Sequence, residues 1–420
     1  MGNSVDLMSA ELITVGDELL YGQTIDTNAA FIGEKLSEAG IELDFHTTVG
    51  DQPDKLLNAI GQAFNRVDIV LTTGGLGPTH DDITKKVICK FFKRQLVFHE
   101  DILKKLEKKY ASQGMTMPYI NQNQALLPQG AKFIDNKIGS ALGIIIEDAG
   151  KIFVAIPGVP NEMKIMMTEH VIPILERRGS RRVIVHRRIR TIGITESAIY
   201  EKVKSTIDEK SAVRIAFLPG LEGVDVRLTV KSDDKEKAKE AIEDTQNQFI
   251  KKIGDYIFGY DDDELPVVTG KLLLDKKMTL AVAESCTGGW LGKLLTDIPG
   301  SSAYFWGGVI AYTDEIKIKI LSVPAIVIER HGAVSIETAK YMAEGVKNLS
   351  GASIGMSITG IAGPSGGSPS KPVGLTYIGI STPEGTSAKE YHYGRDRNRN
   401  RMRASCSALD MLRRHLLGME

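Results

Sequence analysis

The chain has 420 residues, 42% of them hydrophobic and 25% charged, and its 52 lysines and arginines nearly cancel its 53 aspartates and glutamates. That length calls for two or three domains, and the charge balance leaves only local clusters to attract a polyanion. Cys89, Cys286 and Cys406 lie far apart, which fits a reducing compartment better than a disulfide framework, and no apolar run is long enough to span a membrane.

The opening MGNSVDLMSAEL has neither a basic nor an apolar leader segment, and Asp6 stands where a myristoylation site wants Ser or Thr. A cytoplasmic protein is expected. ELITVGD (residues 11–17) then reads as a buried strand. Asp26 and Thr27 cap a helix whose apolar positions are Ala29, Ile32, Leu36 and Ala39. VDIVLTT (67–73) is a second strand, followed by GGLGPT and a helix opened by Asp81 and Asp82 with Ile83, Val87 and Phe91 inside. Strand, glycine turn and helix in alternation predict a parallel sheet covered on both faces. GIIIED, KIFVAIPGVP and a helix from Asn161 to about Glu176 close this α/β region, residues 1–176. The basic stretch ERRGSRRVIVHRRIR (176–190) reads as a connector. Residues 177–260 form a small α+β module: VDVRLTV (224–230) alternates as a strand with one wet face. The helix after it has Ala238, Ala241, Ile242, Phe249 and Ile253 as apolar positions. The acidic run DDDELP (261–266) reads as a linker into a second α/β region, 261–420, whose motifs look self-contained. Its strands are LAVAES, YFWGGVIAY, ASIGMSITG and VGLTYIGIS, with helices beginning near Thr287, Thr313 and Ser335.

Ligands of open parallel sheets collect at the carboxyl ends of strands. VGDE (15–18) and TTGGLGPTHDD (72–82) both fall there. Thr73, Gly74, Gly75, Gly77 and Thr79 are the candidate phosphate contacts, since glycines let backbone N–H groups approach closely. Asp17, Glu18, Asp81 and Asp82 suit a divalent metal bound to that phosphate. The plainer alternative is that Asp81 or Asp82 caps a helix after a tight turn. In AESCTGG (283–289) two nucleophile candidates, Ser285 and Cys286, sit where a strand gives way to a helix, with Thr287, Gly288 and Gly289 offering backbone N–H groups. Consecutive strand residues point to opposite sides, so one of the pair is expected to face the site. TGIAGPSGG (359–367) is a further glycine loop, with Thr359, Gly360 and Gly363 as candidate contacts or a plain turn. Arg397 and Arg401, four apart on a final helix, share a face that could hold a phosphate; Arg395, Arg399 and Arg403 read as surface residues. Gly220-Leu221-Glu222-Gly223 spells the GxxG of RNA-clamping KH loops, yet it precedes a strand and carries an acid, so a plain turn is expected.

VGDELLYGQTIDTN (15–28) with TTGGLGPTHDDIT (72–84) resembles the molybdopterin-binding-like fold and, more narrowly, the amino-terminal half of the competence/damage-inducible CinA proteins. AESCTGG, HGAVS (331–335) and TGIAGPSGG resemble that family's carboxyl-terminal deamidase domain, and the order of motifs spans nearly the whole chain. The resemblance implies three parts: a molybdopterin-binding-like α/β domain, a KH-like α+β domain without implied RNA binding, and an α/β deamidase domain. It implies hydrolysis of nicotinamide mononucleotide (NMN) to nicotinate mononucleotide and ammonia. It also implies an ADP-ribose pyrophosphatase that needs a divalent metal ion, whereas the deamidase needs no cofactor. It assigns the nucleophile to Ser285 and turns from the two histidines of this half, His331 in a loop and His392 in a strand-like stretch, to YTDEIK. There Lys317 would be the base and Tyr312 a proton relay, although Lys317 by itself reads as a solvated helix lysine. Asp396, Arg397 and Arg401 match the family's closing motif. The expected partners are NMN, ADP-ribose and a second copy of the chain, with neither a membrane nor a specific nucleic acid. The contrasting expectation is a non-catalytic pterin- or nucleotide-binding scaffold in DNA uptake or repair.

Overall fold

The structure, a computed structural model, describes residues 8–178, 183–208, 211–220 and 222–419. They fall into two compact units: residues up to Val185 with Lys231–Lys239, and His186–Val230 with the residues from Glu240 onward.

In the first unit the strands are β1 (Ser9–Val15), β2 (Glu42–Val49), β3 (Ile69–Thr73), a separate antiparallel pair β4 (Leu96–Phe98) and β5 (Leu126–Pro128), then β6 (Lys132–Ile134), β7 (Gly143–Asp148) and β8 (Lys151–Ile156). The main sheet runs β2-β1-β3-β8-β7-β6. β2, β1, β3 and β8 are parallel, as the alternation predicts, and β7 and β6 extend the sheet antiparallel. β3 is buried along its whole length, its apolar Ile69–Leu71 continuing into buried Thr72 and Thr73. Successive residues serve opposite cores: Ile13 and Val70 pack with Ile60 and Phe153 on one face, Leu12 and Leu71 with Ile32 and Met163 on the other. Each such side chain contributes roughly 1.5–3 kcal/mol of burial. The helix Thr27–Glu38 takes its expected cap, Asp26 Oδ1 accepting from the Ala29 N–H at 2.9 Å. The helix expected to open at Asp81 and Asp82 begins instead at Thr84 (Thr84–Phe91), because the Asp82 carboxylate turns back into the glycine loop.

Next in the chain come β9 (Val183–Thr191), β10 (Val213–Pro219), β11 (Val224–Ser232) and β12 (Ile257–Tyr260), in the order β10-β11-β9-β12, with the helices Glu196–Val203 and Lys235–Ile253. The basic stretch expected as a connector therefore supplies a strand; its Arg181 and Arg182 lie outside the described residues. Arg190 on β9 donates from Nε to Asp225 Oδ1 at 2.9 Å, so an arginine read as linker is part of a sheet's ion pairing. Gly220 and Gly223 close the hairpin between antiparallel β10 and β11, the Gly220 N–H donating to the Gly223 carbonyl at 2.8 Å. Leu221 of that GxxG lies outside the described residues.

The last sheet contains β13 (Leu280–Glu284), β14 (Phe305–Ile310), β15 (Ile354–Gly360), β16 (Leu375–Thr382) and β17 (Gly385–His392), ordered β14-β13-β15-β16-β17. The first three are parallel and the last two form an antiparallel extension. Val282, Met356 and Ile358 face one core, and Ala281 and Ala283 face the other. The run DDDELP is a tight turn rather than a linker: Asp263 Oδ2 accepts from the Tyr260 N–H at 2.8 Å, and the helix Leu265–Asp275 starts at once. His331, expected in a loop, ends the helix Ala325–His331. The chain closes with the helix Arg397–Leu417, capped by Asp396. Ile192 and Phe258, from the preceding module, belong to the same apolar core as Leu273, Leu409 and Leu412. No helix among the described residues is long and apolar enough to cross a membrane.

Candidate active site

β13 is the middle strand of the parallel set, so the turn after it opens between the ends of β14 and β15. Its last residue, Glu284, is buried and folds its carboxylate under the turn, accepting from the N–H groups of Gly289 (3.0 Å), Leu291 (3.1 Å) and Gly292 (2.7 Å). Ser285 follows, 8% exposed, its N–H bonded to the Ile358 carbonyl of β15 at 2.9 Å. The helix then begins at Trp290, later than expected near Thr287. Gly288 donates its N–H to the Ser285 carbonyl at 3.1 Å, so it and Gly289 are both engaged within the turn. The N–H groups of Cys286 and Thr287 are the turn's remaining donors.

Ser285 lines a cavity of about 260 Å³ together with Tyr312, Asp314, Lys317, Thr359 and Arg397. Gly360 and Gly363 line it too; Thr287, Gly288, Gly289 and Arg401 do not. Cys286 also reaches it, so the expectation that one of the two consecutive residues turns away is corrected: both lie in a turn past the strand end, where strand alternation no longer applies. Burial pushes the Cys286 thiol up to about 12, leaving it protonated and a poor nucleophile.

Lys317 is the group that its sequence context hides. It lies on the short helix Asp314–Lys319, capped by Thr313, yet it is 1% exposed, with Nζ donating to the Tyr312 carbonyl at 3.3 Å. Burial lowers its pKa from the ordinary lysine value, and Asp314, 3.6 Å away, opposes that shift. A solvated lysine is excluded. Tyr312 lies two residues beyond β14, 59% exposed, at the same cavity. His331 and His392 are not among the lining residues; they pair with Glu337 and Glu390.

The final helix buttresses both loops. Arg397 Nη1 donates to the Gly363 carbonyl at 2.8 Å, and buried Asn400 donates to the Ala362 carbonyl at 3.0 Å. Arg401 donates from Nε and Nη2 to the Thr287 carbonyl, at 3.1 and 2.7 Å, with its guanidinium over the Trp290 ring. Of the two arginines expected to share a phosphate, Arg397 therefore faces the cavity and Arg401 holds the serine's turn in place. Thr359 fixes the opposite wall by donating to the Ala333 carbonyl at 2.7 Å. Glu284 and Asn400 escaped the sequence reading. The only trace of the first is a carboxylate ending an apolar strand just before two glycines.

In the first unit the ends of β1, β2 and β3 bring acids together. Asp17 and Asp51 exchange backbone contacts: the Asp17 N–H donates to Asp51 Oδ2 at 3.1 Å and the Asp51 N–H to Asp17 Oδ1 at 3.3 Å. A Cβ at Gly50 would meet the Asp17 carboxylate and displace it. Burial, followed by the charges of Asp17, Glu18 and Asp81, raises the Asp51 carboxyl above the ordinary range. Asp51 was not singled out in the sequence. Asp82 braces the loop instead: Oδ1 accepts from the Gly77 N–H (2.7 Å), and Oδ2 from the N–H (2.9 Å) and hydroxyl (2.6 Å) of Thr79. Thr73 donates to the Pro157 carbonyl and the Gly74 N–H to the Ile156 carbonyl, so Gly75 and Leu76 keep the free loop donors. Gly74 adopts φ +110° against the Val15 carbonyl, a backbone open only to glycine. Behind the loop Lys85 is buried, donating to the Asn123 carbonyl and Gln124 Oε1, both at 2.9 Å, and burial brings its pKa down to about 8. Among the described residues no three His, Cys, Asp or Glu side chains gather as a ready metal cage. The donor set fits a hard cation that shares one or two carboxylates with a bound polyphosphate, rather than a resident ion.

Three family models match in sequence order: a probable molybdopterin binding domain over residues 11–177, the damage-inducible protein CinA KH domain over 186–259, and the CinA C-terminal domain over 262–416. A CinA-like protein of Dictyoglomus thermophilum is 44% identical over 413 residues, 98% of this chain and 100% of that protein. A putative competence-damage inducible protein of Caldicellulosiruptor bescii is 44% identical over 410 residues, again 98% of this chain and 100% of that protein. Among solved structures, the competence/damage inducible protein CihA from Agrobacterium tumefaciens is 37% identical, covering 36% of this chain and 93% of that one, with a TM-score of 0.36.

Proposed function

This chain belongs to the CinA family, and we propose that its last domain hydrolyses the carboxamide of NMN, giving nicotinate mononucleotide and ammonia. The observation that carries this reading is a serine and a buried lysine lining one cavity with an arginine. Amide hydrolysis needs a nucleophile, a proton shuttle and donors for the oxyanion. Lys317, made less basic by burial, takes the proton of Ser285 as Oγ attacks the carboxamide carbon. The Cys286 N–H, at the cavity wall, meets the oxyanion. As the C–N bond breaks, the proton passes to the departing ammonia, with the Tyr312 phenol as relay. Water then attacks the resulting ester, Lys317 takes its proton, and nicotinate mononucleotide leaves as Ser285 is restored. Arg397 holds the 5′-phosphate. Ammonia release from NMN, lost in Ser285→Ala, tests the reading. A chain that binds the nucleotide and releases no ammonia would favour the scaffold alternative.

A second reading concerns the first unit and is favoured by the acids that crowd Asp51 beside the glycine loop. This domain would hydrolyse ADP-ribose at its pyrophosphate. Asp17, Glu18 and Asp81 would share a divalent metal with the phosphates, and the metal would neutralise charge on the diphosphate. Asp51 would keep Asp17 in position. Asp17→Asn, or chelation of the metal, should abolish hydrolysis of ADP-ribose without affecting ammonia release from NMN. Full pyrophosphatase activity in chelator would sink this reading.

A further inference from the structure

The proposed deamidation leaves one charged group of the cavity without a task. Asp314 opens the helix Asp314–Lys319, and its side chain, 57% exposed, stands 3.6 Å from Lys317 Nζ. Of the lining residues it is the one carboxylate, as Arg397 is the one guanidinium. These two charges come from opposite sides. Asp314 follows β14, whereas Arg397 is tied to Gly363 in the loop beyond β15, and β14 and β15 flank the strand that leads into Ser285. With Lys317 neutral, as a base must be, the cavity is negative on the β14 side and positive on the β15 side, with the serine between. The helix itself does not require Asp314: Thr313 is its cap, and Glu315 already supplies an acid to the first turn.

We propose that Asp314 is a specificity-determining residue, selecting a ligand with a cationic ring and disfavouring it once its carboxamide has become a carboxylate. The inference rests on the NMN reading. NMN carries a fixed positive charge on its pyridinium ring and a negative phosphate, so the two charged sides of the cavity orient it end to end. In the free site Asp314 faces the ammonium of Lys317; in the complex the ring cation shares that carboxylate. Hydrolysis breaks the carboxamide C–N bond, adds one oxygen from water and releases ammonia, so the product bears a new negative charge at the reacting carbon. Like charges near Asp314 then repel, and the product is bound less well than the substrate.

The experiment is calorimetric, on the full chain carrying Ser285→Ala so that nothing turns over. Three probes are titrated with Asp314 present and with Asp314→Asn: NMN, its reduced form with a neutral dihydropyridine ring, and nicotinate mononucleotide. Asp314→Asn should weaken NMN by about threefold to fivefold, the size of a partly exposed ion pair. It should leave the reduced form unchanged and nicotinate mononucleotide nearly so, because the retained ring cation and the new carboxylate act on Asp314 in opposite senses, and added salt should shrink the NMN difference. Equal shifts for all three probes, or none, would overturn the proposal. Ammonia release by the parent chain separates the two readings. If ammonia appears from NMN while the probes shift together, this inference alone falls. If NMN is neither bound nor hydrolysed, the deamidase reading falls with it.

Discussion

A serine activated by a lysine fails as a unit when either member is removed. Ser285→Ala and Lys317→Met should each lower kcat by about 10³-fold or more, and the double variant should be little worse. Cys286→Ala should retain near-full turnover, since its thiol, pushed up to about 12, stays protonated. Lys317→Met should also stabilise the fold, by roughly 0.5–2 kcal/mol, as removal of a strained functional group does. The sign follows from linkage. Lys317's folded pKa lies below its unfolded value, so burying it costs most where both states are protonated, and the gain from methionine fades as pH rises through the folded pKa and is gone above the ordinary lysine value. Thermal melts read this effect, and they separate a dead site from an unfolded one. The same shift fixes the pH profile. A lysine base works neutral, so kcat/KM should rise with pH through the pKa of Lys317, below the ordinary value of about 10.4. Asp314 raises that pKa, and Tyr312, Arg397 and the protonated Cys286 thiol line the same cavity. Asp314→Asn should therefore move the rise to lower pH; movement to higher pH would contradict the assignment. Ser285 was legible from its strand end and glycine turn. The burial of Lys317 was not, because DEIKIK carries no helical stripe long enough to say which face packs inward.

At the scale of elements, the turn from Ser285 to Gly289 is shaped by two charged groups that do not line the cavity. Glu284 takes three backbone N–H groups beneath it, and Arg401 holds the Thr287 carbonyl from the final helix. Hydrogen bonds to a charged acceptor are each worth about 1.5–3 kcal/mol, so Glu284→Gln, which keeps the shape and loses the charge, should lower the melting temperature measurably. Arg401→Met should reduce kcat with KM nearly unchanged, because it loosens the turn that carries Ser285 and the Cys286 N–H. Arg397→Met should raise KM, because it removes the group facing the phosphate. Steady-state kinetics on NMN separate the two; equal effects on KM would mean that both arginines hold the ligand. The elements themselves were readable wherever one periodicity dominated, as in β3, β13 and the helix Thr27–Glu38. They were misread where charge masked a strand: HRRIR in β9 alternates, but its arginines find carboxylates across the sheet that no local pattern announces. Asp82 was misread for a related reason. Its spacing suits a helix cap, and its geometry serves the loop that precedes the helix.

For the molecule as a whole, the motifs of the last α/β region look self-contained in sequence, and its packing is not. Buried Arg413, on the final helix, pairs with Asp410 and donates from Nη1 to the Ile257 carbonyl at 3.2 Å and from Nη2 to the Asp255 carbonyl at 3.0 Å. Arg414 reaches the same Asp255 carbonyl at 3.0 Å, and Ile192 and Phe258 complete the core beneath. A fragment cut at Leu265 strips Arg413 of both carbonyls and uncovers that apolar face. Arg413 keeps Asp410 but loses two hydrogen bonds from a charged donor, each worth about 1.5–3 kcal/mol, a large share of a domain's stability. The same helix carries Arg397 and Arg401 at its other end, so loosening its base would be felt at the serine. A fragment beginning at His186 keeps all of these contacts. It should melt cooperatively and release ammonia from NMN at close to the rate of the full chain, while the fragment from Leu265 should melt at a lower temperature and lose activity on warming well before the longer one. Matching melts and rates for the two fragments would mean that the contacts of Arg413 with the preceding module carry no stability, and that the deamidase fold ends where its motifs do.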